Sequence, residues 1–293
     1  MSRRHPHFGG AERKRLRVNL RKASGQIEPI SPEKLTRSLI RCRTPEDQAS
    51  RITENVLRST YDEMPTEKLR RLVLQNLKSV NPAAATLYNL SRAVMHLGPS
   101  GFPFEKLVGK LYASEGYTTE INQTRPGRCV DHEIDVVAKK GREINFIECK
   151  FHSVSGFFVD LKTALYIKAR SDDLKGARNA FSDHSVFSLI TNTRFSSEAL
   201  KFGECAGINL VSWTHPENGL SLVRRLETSG LIPLTALTSL PKRLATLLMT
   251  DGIVTVRDLV DDPHAWKMIG RDPRILRELQ REIDSLWDVA HSL

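Results

Sequence analysis

The stretch "CVDHEIDVVAKKGREINFIECKFHS", residues 129–153, decides how this chain is read. Asp131, Glu133 and Asp135 crowd three acidic groups into five positions, and Glu148 and Lys150 stand one residue apart inside an apolar run. The runs "IDVVA" and "EINFIECKF" are strand-like, and "KKG" between them reads as a turn. In a strand, residues two apart share a face, so Glu148 and Lys150 project together while Ile147, Cys149 and Phe151 point the other way. Pairing the two strands brings Asp135 to the same place. Two carboxylates beside a lysine make a hard oxygen site suited to Mg²⁺ and to phosphodiester hydrolysis. The same spacing also fits a charged cluster at a sheet edge with no catalytic role.

Working outward, strands and helices alternate. A helix is expected over "FEKLVGKLYASEG", a strand over "YTTEIN", a loop through "RPGRCVDHE", and a helix around "DLKTALYIKARSDDLKGA". Strand "VFSLIT", helix "SSEALKFGECAG" and strand "INLVSW" follow. This alternation implies an α/β sheet covered by helices. His152 is expected to be an ordinary hydrogen-bonded histidine or a proton carrier, and Lys168 and Arg170 either touch a phosphate backbone or line the wet face of a helix.

From Phe104 to Trp213, the blocks "FEKLVGKLYASEGY", "DHEIDVVA", "IECK" and "FSLITNTRFSSEALKFGECAGINLVSW" resemble the Mrr-type restriction endonuclease domain of the PD-(D/E)xK nuclease superfamily. The resemblance implies a central mixed sheet and Mg²⁺- or Mn²⁺-dependent cleavage of double-stranded DNA. It makes Asp135 and Glu148 the metal ligands, Lys150 the catalytic lysine and Glu105 a supporting helix carboxylate. The chain departs from the family in two places: His132 and Glu133 replace the usual loop glycines, and Glu148 stands where many members have Gln.

Before "GPSGFP", residues 98–103, the character differs. "LRVNLRKASGQIEPIS" reads as two short strands turning at Ser24-Gly25, and "SPEKLTRSLIRC" opens a helix with Ser31 as N-cap and Pro32 at its first position. Helices introduced by proline follow at "PEDQASRITENVLRSTYDE", "PTEKLRRLVLQNLKSV" and "PAAATLYNLSRAVMHL". Lys22, Gly25, Glu28, Pro29 and Lys34, with Tyr88 and Arg92 near the end, resemble the ATP-cone, a regulatory nucleotide-binding module. The resemblance implies ATP or dATP as a ligand that gates the rest of the chain. There is no P-loop pattern, so binding without turnover is expected.

Residues 231–293 read as helical, and "LMTDGIVTVRDLVDD" is similar to a helix-hairpin-helix segment whose Gly252 turn could bring backbone amides to phosphate. The same helices could instead serve packing or dimerisation. Four scattered cysteines form no zinc or disulfide pattern. The net charge of +10 sits wholly in residues 1–100, which hold 19 Lys and Arg against 9 Asp and Glu. That bias favours an anionic partner.

The expected organisation is multidomain α/β: a disordered basic tail over residues 1–15, a small α+β ATP-cone over 16–97, a mixed-sheet nuclease core over 102–228, and a helical module over 229–293. The expected protein is a cytoplasmic, homo-oligomeric, nucleotide-regulated DNA endonuclease serving restriction of foreign or modified DNA. A non-catalytic nucleotide-sensing DNA-binding regulator and a repair or junction nuclease are the alternatives.

Overall fold

The computed structural model describes residues 18–22, 25–154, 156–177, 184–270 and 272–291. The expected tail and Ser24 lie outside them. The chain divides into two compact units, residues 1–80 and 81–293.

In the first unit, β1 (Asn19–Arg21) pairs antiparallel with β2 (Ile27–Pro29) and parallel with β3 (Met64–Pro65). Gly25 has φ +82, the left-handed backbone that only glycine takes without strain. Helix α1 (Pro32–Arg41) starts as its sequence dictates, with Ser31 accepting the Lys34 amide and Pro32 in the first turn, a cap of about 1 kcal/mol. Helices α2 (Glu46–Arg58) and α3 (Thr66–Val80) complete the unit. Leu39, Ala49, Val56, Met64, Val73 and Leu77 are fully buried.

The second unit opens with α4 (Pro82–Met95) and α5 (Phe102–Ser114). Strands β4 (Thr118–Pro126), β5 (Asp131–Lys140) and β6 (Glu143–Lys150) then form an antiparallel meander. The short β7 (Phe158–Val159) leads to α6 (Leu161–Lys175), followed by β8 (Ser185–Thr191), β9 (Arg194–Phe195), α7 (Ser197–Ala206) and β10 (Asn209–Val211). The sheet order is β10-β8-β6-β5-β4, with β6, β8 and β10 parallel, so the sheet is mixed. β7 and β9 pair separately.

Helices cover both faces. Phe104, Leu107 and Val108 of α5 pack on Val136, Ala138, Ile147 and Cys149. On the opposite face, Leu174 of α6 packs with Ile134, Val137, Phe146 and Phe187. Gly109 permits the close approach of α5, because a Cβ there would come within 2.6 Å of the Ile121 side chain.

The chain ends in α8 (Leu222–Ser229), α9 (Lys242–Thr250), α10 (Val256–Asp261), α11 (Pro263–Ile269) and α12 (Pro273–His291). Their Leu226, Leu248, Leu259 and Leu279 belong to the same apolar core as Phe104 and Ile147. Among the described residues, no helix is long and apolar enough to cross a membrane.

Two expectations need correction. "RPGRCVDHE" is largely strand, since Gln123↔Ile134, Thr124↔Glu133, Arg125↔His132 and Pro126↔Asp131 extend the hairpin to a tip at Gly127. The Gly252 turn is not an open phosphate cradle. The Gly252 and Ile253 amides bond Met249 and Leu248 carbonyls, and the Val254 and Thr255 amides bond the Asp258 carboxylate.

Candidate active site

The site begins where two ladders fail together. β5 and β6 pair from Lys140↔Glu143 as far as Val136↔Ile147 and no further. On the other side of β5, Asp135 falls between the paired residues Ile134 and Val136, opposite Asn122, whose φ is +52. The alternation of faces also slips here: Val136 and Ala138 face α5, Val137 faces α6, and Ile134 joins Val137 rather than Val136. Asp135 therefore lies at a fork in the sheet. Its carboxylate accepts the Cys149 amide at 2.7 Å, filling the place a ladder carbonyl would take.

Glu148 and Lys150 lie on β6 beyond the fork, with Cys149 between them buried toward α5, as the alternation predicts. Phe151 continues that buried side, its ring 5.7 Å from that of Phe104. Glu105 comes from the first turn of α5, close over Gly101. The structure thus brings all four expected residues into one electrostatic neighbourhood.

Their protonation shows the crowding. Burial pushes Glu105 up to about 7, and the charges of Asp135, Glu148 and Glu133 push in the same direction. Burial, then Asp135, raises Glu148 to about 7 against the opposing pull of Arg170 and Lys150. Asp135 is raised by burial, opposed by its bond from the Cys149 amide and by Arg170 and Lys150. Several carboxyls held above their ordinary range at neutral pH mark a place deficient in positive charge.

Hard oxygen donors short of cationic neutralisation fit a divalent ion such as Mg²⁺ or Mn²⁺. Among the described residues, no group of three His, Cys, Asp or Glu side chains is drawn together tightly enough to chelate an ion unaided. The fit therefore rests on the Asp135 and Glu148 pair, with Glu105 behind it.

Arg170 is the member whose role sequence reasoning missed. It belongs neither to a free backbone-binding row nor to the wet face of α6. Its Nη1 donates to Glu148 Oε2 at 2.7 Å, with both side chains nearly buried, and its Nη2 donates to the Glu133 carbonyl. One guanidinium thus pins the second carboxylate to the strand that carries the first. The available signal was a lone arginine in α6 one turn from the buried Ile167 and Leu174. Lys168, by contrast, pairs with Asp172 one turn away.

His152 departs from expectation too. Its Nε2 is buried with no hydrogen-bond partner among the described residues, its ring stacks on Phe157 at 5.6 Å, and burial together with Lys150 holds its pKa down. Asp131 is exposed near the hairpin tip.

In the first unit, Lys22 pairs with Glu28 at 2.7 Å across the β1–β2 hairpin. Gly25 makes the turn and Lys34 is exposed at the start of α1. Lys22, Gly25, Glu28 and Lys34 are therefore carried by one short hairpin and the helix after it. Tyr88 and Arg92 sit on α4, in the second unit, where Arg92 Nε donates to His96 Nε2 at 3.2 Å.

Three family descriptions match the chain. The ATP cone domain covers residues 18–95, the Mrr catalytic restriction endonuclease domain covers 98–215, and the AF1548-like C-terminal domain covers 233–287. A protein of Archaeoglobus fulgidus described as uncharacterized is 38% identical over 177 residues, 60% of this chain and 97% of that protein. The crystal structure of AF1548, titled a protein of unknown function, aligns with a TM-score of 0.53 at 31% identity, covering 66% of this chain and 100% of that one.

Proposed function

We propose, because this chain belongs to the AF1548 family and joins a restriction-endonuclease domain to an ATP-cone, that it is a divalent-metal-dependent DNA nuclease governed by ATP or dATP. The observation that carries this reading is the fork, where Asp135, Glu148, Glu105 and Lys150 meet with carboxyls held near neutrality. A purely structural ion-pair network would balance its charges, and this one is short of cations.

Asp135 and Glu148 would hold the metal, which supplies charge neutralisation at the phosphate and a more acidic water. The protein's own groups do the rest. The Asp135 bond to the Cys149 amide fixes that carboxylate against β6, and Arg170 fixes Glu148 against β5. Lys150 is exposed at the end of β6, where an ammonium can orient an attacking water or balance charge on the phosphoryl oxygens. Glu105 holds a proton easily near neutrality. A retained acid next to the scissile bond can protonate a leaving oxygen. Restriction of foreign or modified DNA is the biological role this chemistry fits, with Lys22, Gly25, Glu28 and Lys34 receiving the regulatory nucleotide.

The test incubates full-length wild type and Asp135→Asn with Mg²⁺ and either supercoiled plasmid, methylated and unmethylated, or single-stranded circular DNA, each with and without dATP. Asparagine keeps an acceptor for the Cys149 amide while removing the charge, so loss of cleavage reports chemistry and not folding. Cleavage by wild type alone, altered by dATP, is expected. Equal cleavage by both proteins overturns the site. Inert wild type on every substrate overturns the nuclease reading.

A further inference from the structure

Large apolar side chains exposed singly are ordinary, but grouped ones mark a binding surface. Among the described residues, five of the twelve exposed large apolar side chains fall between residues 154 and 166: Val154, Phe157, Phe158, Leu165 and Tyr166. Phe157, Phe158 and Tyr166 are each more than half exposed.

These aromatics are built onto the fork. The Phe157 ring lies parallel to that of His152, 5.6 Å away with a 5° interplanar angle, and His152 is two residues beyond Lys150. The Tyr166 ring carries the Arg170 guanidinium 5.5 Å from its centroid, and Arg170 holds Glu148. One aromatic thus adjoins the lysine end of the carboxylate cluster and another its glutamate end. Phe158 stands between them in the chain, paired in register with Arg194.

Cations interleave with the rings. Lys162 is exposed on α6 with Tyr166, Arg194 is exposed on β9 in register with Phe158, and Lys150 is exposed at the end of β6. Aromatic faces with basic groups among them recognise unpaired bases on a phosphodiester strand, because each base offers a π-face and each phosphate a charge. An intact duplex hides those faces. A second copy of this chain would instead favour a patch with charge excluded from its centre.

From this arrangement we infer that Phe157, Phe158 and Tyr166 form a stacking surface for unpaired bases, so that the enzyme engages single-stranded or frayed nucleic acid at the carboxylate fork. The inference rests on the nuclease reading above for its biological meaning, and its test reads binding alone.

The full-length Asp135→Asn chain is titrated in Ca²⁺ by fluorescence anisotropy against a labelled 20-nucleotide DNA strand, its duplex, and RNA of the same sequence. The strand is expected to bind at least about tenfold more tightly than the duplex. Adding Phe157→Ala, Phe158→Ala and Tyr166→Ala should lower strand affinity by about a thousandfold, taking roughly tenfold for each of three stacked bases, and change duplex affinity less than about twofold by the same argument. Tyr166→Phe, which keeps the ring, should retain strand affinity.

Aromatic-dependent strand binding by a wild type that cleaves nothing supports this surface and rejects the nuclease reading. Equal loss on strand and duplex, no loss on either, or loss with Tyr166→Phe overturns the surface. So does conversion of a dimer to a monomer by the triple change in sedimentation, which would make it an interface between copies. Strand binding with either sugar supports the inference, and the tighter of DNA and RNA names the substrate.

Discussion

Arg170 shows how one side chain sets the working pH of its neighbours. Its guanidinium favours the ionised form of Glu148, whose pKa burial and Asp135 lift to about 7 even with the arginine in place. Removing it with Arg170→Ala raises that pKa further, so the ionised fraction at neutral pH falls. The acid limb of the pH–rate profile should therefore move to higher pH, while Arg170→Lys, which keeps the charge, should move it less. Loss of a charge-assisted bond between two nearly buried groups should also cost about 1–3 kcal/mol of folding stability. An unshifted profile in Arg170→Ala, measured at a fixed subsaturating metal concentration where proton and metal compete for Glu148, would show that the arginine packs without tuning. The sign follows from linkage. A carboxyl whose folded pKa lies above its unfolded one contributes stability below the unfolded value and loses it as pH rises through about 7. The pair with Arg170 limits that loss.

At the scale of elements, the hairpin arm that frames the fork is held by one aspartate from α6. Asp173 accepts the Cys129 amide at 2.9 Å, the Val130 amide at 3.3 Å and His132 Nε2 at 2.8 Å. The Cys129 side chain, then His132, brings its pKa down to about 2, with the Val130 and Cys129 amides adding smaller shares. A depressed carboxyl contributes stability above its unfolded pKa, near 3.8, that is lost as pH falls through about 2. Asp173→Ala should speed hydrogen exchange at Cys129 and Val130 by about tenfold or more, since each opened amide loses a bond of order 1 kcal/mol or more. Unchanged exchange would mean the tip is held by its own backbone. The same arm shows why part of the fold was hidden in the sequence. "QTRPGRCVDHE" has no apolar alternation, because its arm is mostly exposed, so Gly and Pro dominated the reading. β3, β7 and β9 are two residues long and carry no period. The core strands and helices were legible because each buries a face, and Glu148 and Lys150 were legible because strand spacing is rigid, whereas Asp135, at the slip in β5, was reached only through the expected pairing of β5 with β6. Arg170 was not legible, since its partner is 22 residues away on another element. His132 and Glu133, which replace loop glycines, prove to be strand residues, and that position needs no glycine.

For the whole molecule, the C-terminal helices decide whether the restriction-endonuclease-like domain can stand alone. Leu234, Leu248, Val254 and Leu259 are fully buried, and Leu279 with them. They pack in one cluster with Val94, Leu97, Phe104 and Ile147, so the apolar side of α4, α5 and the sheet is closed by residues far along the chain. Polar ties reinforce the closure. Thr235 Oγ1 donates to the Ala93 carbonyl at 2.6 Å, and Lys110 pairs with Asp258 at 2.7 Å. A chain cut after Gly230 keeps every proposed catalytic residue and loses this cover. Each of these five buried side chains returned to water costs about 1.5–3 kcal/mol, and together they rival the whole stability of an ordinary domain at about 5–15 kcal/mol. The cut protein should therefore aggregate or lose cooperative unfolding in a thermal scan, and should show no cleavage despite an intact fork sequence. A cut chain that stays monomeric and unfolds cooperatively near the full-length temperature would show that the helices form an independent module. The carboxylate fork would then be self-supporting, and the terminal helices would be free to serve another partner.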